Sequence, residues 1–348
     1  MDRSAVIRSK PVNWLFAGTD SAMNRPRVFV TRRIPDLGID LLRQHFDVEV
    51  WPGDKPADRP TVLSKIAGCV GVLTLLSDQV DAAFMDAAGD QLKVISNFAV
   101  GYNNIDCQAA RQRGIRIGNT PDVLTDATAD MAMCLLLAAA RHLRAGIDAV
   151  CSGKWFSWEP LGYMGIDLAG KTIGIVGAGR IGAAVARRCH GGWGMRVVYT
   201  SRSDKTGIMA DSRASRVELS ELLRCSDFVS VHCDLNPSTQ RMFNRDLFSQ
   251  MKPGSVFVNT SRGGVVDQDA LYEALVHGPL MAAGLDVTDP EPLDPAHPLV
   301  SLPHCVIAPH VGSATHEARN AMSRIAAENI IAAWLGKSMT AEVGAAVQ

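Results

Sequence analysis

Thr172-Ile173-Gly174-Ile175-Val176-Gly177-Ala178-Gly179-Arg180-Ile181-Gly182-Ala183-Ala184-Val185-Ala186-Arg187 is the stretch that decides the fold. A β-prone apolar run leads into glycines spaced G-x-G-x-x-G, and a helix-forming run follows. The spacing gains its meaning from those flanks, a strand before and a helix after. Gly177 allows a tight turn, Gly179 lets the backbone approach a pyrophosphate, and Gly182 permits close helix–strand packing. The open amides at the helix start attract phosphates. The stretch therefore reads as the phosphate turn of a dinucleotide-binding βα unit.

The next strand ends at Tyr199-Thr200-Ser201-Arg202-Ser203. An acid here would accept from a ribose 2′-hydroxyl, but none occurs before Asp204. Ser201, Arg202 and Ser203 instead offer hydroxyls and a guanidinium suited to bidentate phosphate binding. NADP(H) is expected in preference to NAD(H), which the same turn also admits.

Outward from this turn, strand and helix signals alternate along the chain. Strands are expected over 27–31, 47–51, 68–75 and 92–96, and again over 172–176, 196–200, 228–232, 255–259, 282–286 and 305–308. Alternation of this kind builds βαβ units and parallel sheets. The expected fold class is α/β, with two doubly wound parallel-sheet domains. One long helix is expected over 121–146 and another over 313–335, with an irregular, Trp- and Gly-bearing excursion over 151–170. The domains are read as 27–120 for substrate, completed by 311–348, and 121–310 for the dinucleotide. Residues 1–26 show little periodicity and are read as a disordered extension, with Met23 a candidate natural start.

A hydrophobic fraction of 47% with 20% charged residues is ordinary globular material. The net charge of −1 argues against a generic nucleic-acid or membrane-surface binder. The longest helix-like apolar run, 131–140, is too short to span a bilayer. Eight cysteines without C-x-x-C pairs or zinc-finger spacing read as reduced, mostly buried thiols in a cytoplasmic protein, and no metal is expected.

Three later segments place polar groups after strands, where open α/β sheets bind ligands. They are Val258-Asn259-Thr260-Ser261-Arg262-Gly263-Gly264, Gly284-Leu285-Asp286-Val287-Thr288-Asp289-Pro290-Glu291 and Pro309-His310-Val311-Gly312-Ser313-Ala314-Thr315. Reducing a 2-oxoacid requires that developing oxyanion charge be stabilised and then protonated. Arg262 can hold the carboxylate and polarise the carbonyl, and His310 can supply the proton. A carboxylate at Glu291 would orient the imidazole and favour its charged form.

These segments, with Thr120-Pro121-Asp122-Val123-Leu124-Thr125-Asp126, resemble the D-isomer-specific 2-hydroxyacid dehydrogenase family from residue 27 onward. Within it, the chain is most similar to the glyoxylate/hydroxypyruvate reductase branch. The resemblance implies Arg262, Glu291 and His310 in the roles above. It implies substrate-carboxylate binding by the backbone of Val100 and Gly101, with Ser313 added to the substrate set. It places Gly179, Arg180, Ile181, Arg202, Asp234, Thr260 and Asp286 around the cofactor. It implies a flavodoxin-like substrate domain, a Rossmann cofactor domain and a homodimer in which the partner subunit's Trp158 lends an aromatic to the pocket. Asn103 departs from the family pattern, where many relatives carry Asp, and only a turn contact is put in doubt. Two alternatives stay open: a dehydrogenase for another D-2-hydroxy acid such as D-lactate or 3-phosphoglycerate, and a dinucleotide-sensing, corepressor-like binding protein.

Overall fold

The computed structural model describes residues 25–344, so most of the expected N-terminal extension lies outside the described residues. Its last two residues are tied to the first sheet: the Pro26 carbonyl accepts from Asp47 N at 3.0 Å, and Arg25 Nη1 donates to Arg43 O at 2.9 Å. The first alternation runs β1 (Arg27–Val30), α1 (Asp36–Arg43), β2 (Asp47–Val50), α2 (Arg59–Ile66), β3 (Gly71–Thr74), α3 (Ala82–Ala88), β4 (Val94–Asn97), α4 (Cys107–Gln112) and β5 (Arg116–Gly118). These strands pair in parallel in the order β2-β1-β3-β4-β5, which is the flavodoxin-like order. β3 and β4 are buried at every residue, so they carry apolar runs without clean alternation. Asp58, Asp81 and Asp106 cap α2, α3 and α4 by accepting from the amides of Thr61, Phe84 and Ala109, satisfying donors that a helix start leaves open.

The single helix expected over 121–146 is in fact two, α5 (Thr125–Ala140) and α6 (Leu143–Cys151). The break falls at His142, whose left-handed backbone (φ 48°) cannot continue a right-handed helix. The second alternation follows: β6 (Thr172–Val176), α7 (Arg180–Trp193), β7 (Arg196–Thr200), α8 (Thr206–Met209), β8 (Ser215–Arg216), α9 (Leu219–Cys225), β9 (Phe228–Val231), α10 (Arg245–Ser249), β10 (Ser255–Asn259), α11 (Gln268–Val276), β11 (Leu280–Leu285), α12 (Pro298–Ser301) and β12 (Cys305–Ile307). All seven strands are parallel, in the order β12-β11-β10-β9-β6-β7-β8. The strand order reverses between β6 and β9, and ligands bind at the carboxyl ends of strands flanking such a reversal.

The last helix, α13 (His316–Trp334), packs on α1, β3 and β4 of the first sheet, whereas α5 packs on β10, β11 and α7 of the second. The chain thus crosses between the sheets twice. Each sheet has apolar clusters on both of its faces. Among the described residues, no helix is long and apolar enough to cross a membrane. Three cysteines are buried, three half-buried and two exposed. The expectation of mostly buried thiols fails at Cys134 and Cys151, on the outer face of α5 and at the end of α6, where apolar side chains are also exposed.

Candidate active site

The phosphate turn has the geometry its glycines require. Gly177 lies at φ 98°, and a Cβ there would stand 2.5 Å from Cys233 N. A Cβ on Gly182 would overlap the Gly177 carbonyl, whereas one on Gly179 would meet nothing within 4 Å. The backbone at Gly179 therefore faces open space, and no side chain caps the amides at the start of α7. Arg180 is ion-paired with Asp122, Nε to Oδ1 at 2.5 Å, both exposed.

Beyond β7, Arg202 and Ser203 are exposed, and Ser201 Oγ donates to Ser203 O at 2.6 Å. Asp204 is turned to other partners, the amide and hydroxyl of Thr206 at 2.9 and 2.5 Å. The Thr206 hydroxyl and amide hold its carboxyl below the ordinary range. Sequence reasoning missed Arg216, which donates to Ser201 O at 2.9 Å from β8. A two-residue strand leaves no periodic signal to place it.

The ends of β10, β11 and β12 bring the three chemical groups together. His310 Nδ1 lies 2.8 Å from Glu291 Oε2, and Thr288 N donates to Glu291 Oε1 at 3.1 Å. Burial pushes the Glu291 carboxyl up, but the His310 hydrogen bond and charge, the Thr288 amide and Arg262 prevail and hold it below its ordinary value. His310 sits in a left-handed backbone (φ 53°), with its N–H donated to Asp286 O at 2.9 Å. Asp286 is 2% exposed and accepts from Val311 N and Gly312 N at 2.8 and 2.7 Å. Both its oxygens thus fix the loop that presents His310. Burial raises its carboxyl against those two amides.

Arg262 reaches across to the first sheet. Its Nη1 donates to Ser261 O at 2.7 Å and its Nε to Asn103 Oδ1 at 3.2 Å. A Cβ on Gly101 would overlap Arg262 Nη2, so only glycine admits this approach. Burial lowers the guanidinium against the opposing charges of Glu291 and Asp234. The amides of Val100 and Gly101 donate to no acceptor among the described residues. Ser313 is half-buried, three residues beyond His310.

Thr260 is buried, its hydroxyl 3.4 Å from His232 Nδ1, while Ser230 Oγ lies 2.8 Å from His232 Nε2. Burial pushes the His232 imidazole down to about 4. Asp234 is exposed. Trp158 lies apart from these groups in the irregular excursion, 81% exposed, with Trp155, Phe156 and Leu161 also exposed.

A model of the family described as D-isomer specific 2-hydroxyacid dehydrogenase, NAD binding domain, matches residues 133–312. The human glyoxylate reductase/hydroxypyruvate reductase is 48% identical over 319 residues, covering 91% of this chain and 97% of the human protein. The glyoxylate reductase of Thermococcus kodakarensis is 47% identical over 312 residues, 88% and 93% of the two chains. Among solved structures, the NADPH-dependent glyoxylate/hydroxypyruvate reductase of Sinorhizobium meliloti, in complex with NADP and malonate, superposes with a TM-score of 0.80. It is 32% identical, covering 92% of this chain and 97% of that one.

Proposed function

Because the chain belongs to the D-isomer specific 2-hydroxyacid dehydrogenase family of nicotinamide-dependent oxidoreductases, we propose that it is an NADPH-preferring 2-oxoacid reductase, converting hydroxypyruvate to D-glycerate and glyoxylate to glycolate. One observation carries the reading: the His310–Glu291 contact at 2.8 Å, with Arg262 Nη2 packed against Gly101, whose amide, like that of Val100, donates to no acceptor among the described residues.

The residues present fit a dinucleotide. The open space at Gly179 leaves room for a pyrophosphate, and a Cβ at Gly177 or Gly182 would collide with the backbone that shapes the turn. Thr260, Asp234 and Asp286 complete the cofactor set of the reading, with residues 121–310 as the cofactor unit and 27–120 plus 311–348 as the substrate unit. Arg202, with Arg216 close by, suits a 2′-phosphate, and Asp204 is already engaged by Thr206. When bound, the dinucleotide supplies the hydride that goes to the carbonyl carbon.

The chain's own residues do the rest. The Val100 and Gly101 amides and Arg262 hold the substrate carboxylate, and the guanidinium polarises the carbonyl oxygen as charge builds on it. His310 Nδ1 faces Glu291, which leaves Nε2 to deliver the proton to that oxygen. Glu291 orients the ring through its contact with Nδ1. Asp286 holds the loop from below, and Ser313 lines the substrate side. The exposed apolar face of α6 and the following excursion suit a homodimer interface, across which the partner subunit's Trp158 closes the pocket.

The test is NADPH oxidation with hydroxypyruvate, glyoxylate and pyruvate, repeated with NADH. Turnover of the first two, faster with NADPH, is expected. Failure to oxidise NADPH with any 2-oxoacid overturns the reading.

A further inference from the structure

We propose that Arg216 is a specificity-determining residue for the cofactor: from β8, its guanidinium is the second cation, beside Arg202, of a site for the adenosine 2′-phosphate. The inference rests on the NADPH-preferring reductase reading and deepens it.

Strand register fixes where Arg216 stands. β8 pairs in parallel with β7, Val198 opposite Ser215 and Tyr199 opposite Arg216, and Val217 N donates to Tyr199 O at 2.9 Å. Arg216 therefore lies beside the carboxyl end of β7, where a dinucleotide-binding unit reads the ribose 2′ position. Its Nη2 donates to Ser201 O at 2.9 Å, which draws the guanidinium to the first residue after that strand. Arg216 is exposed, and its Nε and Nη1 donate to no acceptor among the described residues. A guanidinium carries five N–H donors in a fixed fork, so the tie to one carbonyl leaves the others for a ligand.

The acid on this loop does not take them up. Asp204 Oδ1 accepts from the amide and hydroxyl of Thr206 at 2.9 and 2.5 Å and forms no ion pair with Arg216. The Thr206 contacts first, then the Tyr199 hydroxyl and the charge of Arg216, hold that carboxyl below its ordinary range. Arg202 acts elsewhere. Its charge opposes the burial and the Asp234 charge that push the Cys233 thiol up to about 11. Cys233 N borders Gly177 of the phosphate turn. Arg202 thus acts toward the phosphate turn and Arg216 toward Asp204, so the two cations cover different borders of the same strand end.

A phosphate monoester carries a charge of about −1.5 to −2 near neutral pH. One guanidinium does not offset that charge, and two do. NADH presents a neutral ribose hydroxyl at the same place. The second cation therefore adds to NADPH binding and leaves NADH binding alone.

The competing account is that Arg216 only ties β8 to the turn after β7. Full-length Arg216→Gln keeps a donor for Ser201 O without the charge, and Arg216→Ala removes both. Each is titrated by calorimetry with NADPH, NADH and the fragment adenosine 2′,5′-bisphosphate. In both variants the Kd for NADPH and for the bisphosphate should rise about tenfold, and that for NADH by less than about twofold. The loss should shrink as salt is raised, because the site is exposed. A tie alone would let Arg216→Gln bind NADPH like wild type and would weaken NADH and NADPH together in Arg216→Ala. Either result, or wild-type NADPH affinity in Arg216→Ala, overturns the role, while a wild type that prefers NADPH leaves the reductase reading standing. A wild type that binds NADH more tightly than NADPH and does not bind the bisphosphate overturns both.

Discussion

Opposing influences act on the partly buried Glu291 carboxyl. Burial alone would raise its carboxyl; the His310 contact, the Thr288 amide and Arg262 reverse the outcome. Its folded-state value lies below the ordinary one. The associated stabilisation is therefore present above the ordinary carboxylate range and is lost as pH falls through the folded value. Glu291→Gln keeps the size and a hydrogen bond but removes the charge. On the proposed mechanism, kcat/KM in wild type should decline as pH falls through the folded Glu291 value, and Glu291→Gln should lack that limb, read from a pH–rate profile. His310→Ala should cost about 10²–10⁴-fold in kcat while leaving NADPH binding intact. Near-normal turnover would remove His310 from the role. At the cofactor end, Arg202→Ala should weaken NADPH use by roughly ten- to a hundredfold and barely touch NADH use. Equal losses with both cofactors would count against the phosphate contact. Arg262, Glu291 and His310 were legible because each follows a strand in a stretch whose polar residues have no structural reason to cluster. Asn103 was not legible: an asparagine in a polar turn looks like turn chemistry, and only the fold brings Arg262 to it from 159 positions away.

Among the elements, legibility followed length and burial. The buried strands β6, β9 and β10, four or five residues long and largely apolar, were expected almost where they lie. β5 and β8, with three and two residues, offered no pattern to read. The division into α5 and α6 was hidden because both halves are helix formers and the break is one residue's backbone geometry. The irregular excursion was anticipated from its mixture of Trp and Gly. Its exposed aromatics adjoin Leu143, Ile147 and Val150 on α6, also exposed. Placing a charge in that face should prevent self-association. We expect Ile147→Glu to lower the mass measured by light scattering from dimer to monomer, and an unchanged mass would exclude this face as the interface. Trp158→Ala should relax selectivity toward bulkier 2-oxoacids without altering NADPH binding. An unchanged substrate range would show that the side chain has no part in the pocket.

Across the whole molecule, the chain's far segments lock the first sheet. Arg116 Nε and Nη2 donate to Glu342 Oε1 and Oε2 at 2.9 and 2.6 Å, and Asn329 Nδ2 donates to Asn119 O at 3.0 Å. The Arg116 hydrogen bond holds the Glu342 carboxyl below its ordinary value. Its contribution is therefore present above the ordinary carboxylate range and lost as pH falls through the folded value. For a bidentate pair that is largely shielded from water, Glu342→Gln should cost about 1 kcal/mol, measured by denaturant unfolding near neutral pH. That cost should shrink on acidification. A loss independent of pH would mean that the charge contributes nothing. The return of α13 to α1, where Ser323 Oγ donates to Pro35 O at 2.6 Å and accepts from Gly38 N at 2.9 Å, also sets a timetable. A ribosome delivers β12 before α13, so every strand of the seven-stranded sheet can pair while the first five strands, though made earlier, still lack their covering helix. The half that begins synthesis is thus the last to be completed. A nascent chain stalled after Gly312 should resist protease across residues 172–307 and remain cleavable before residue 120.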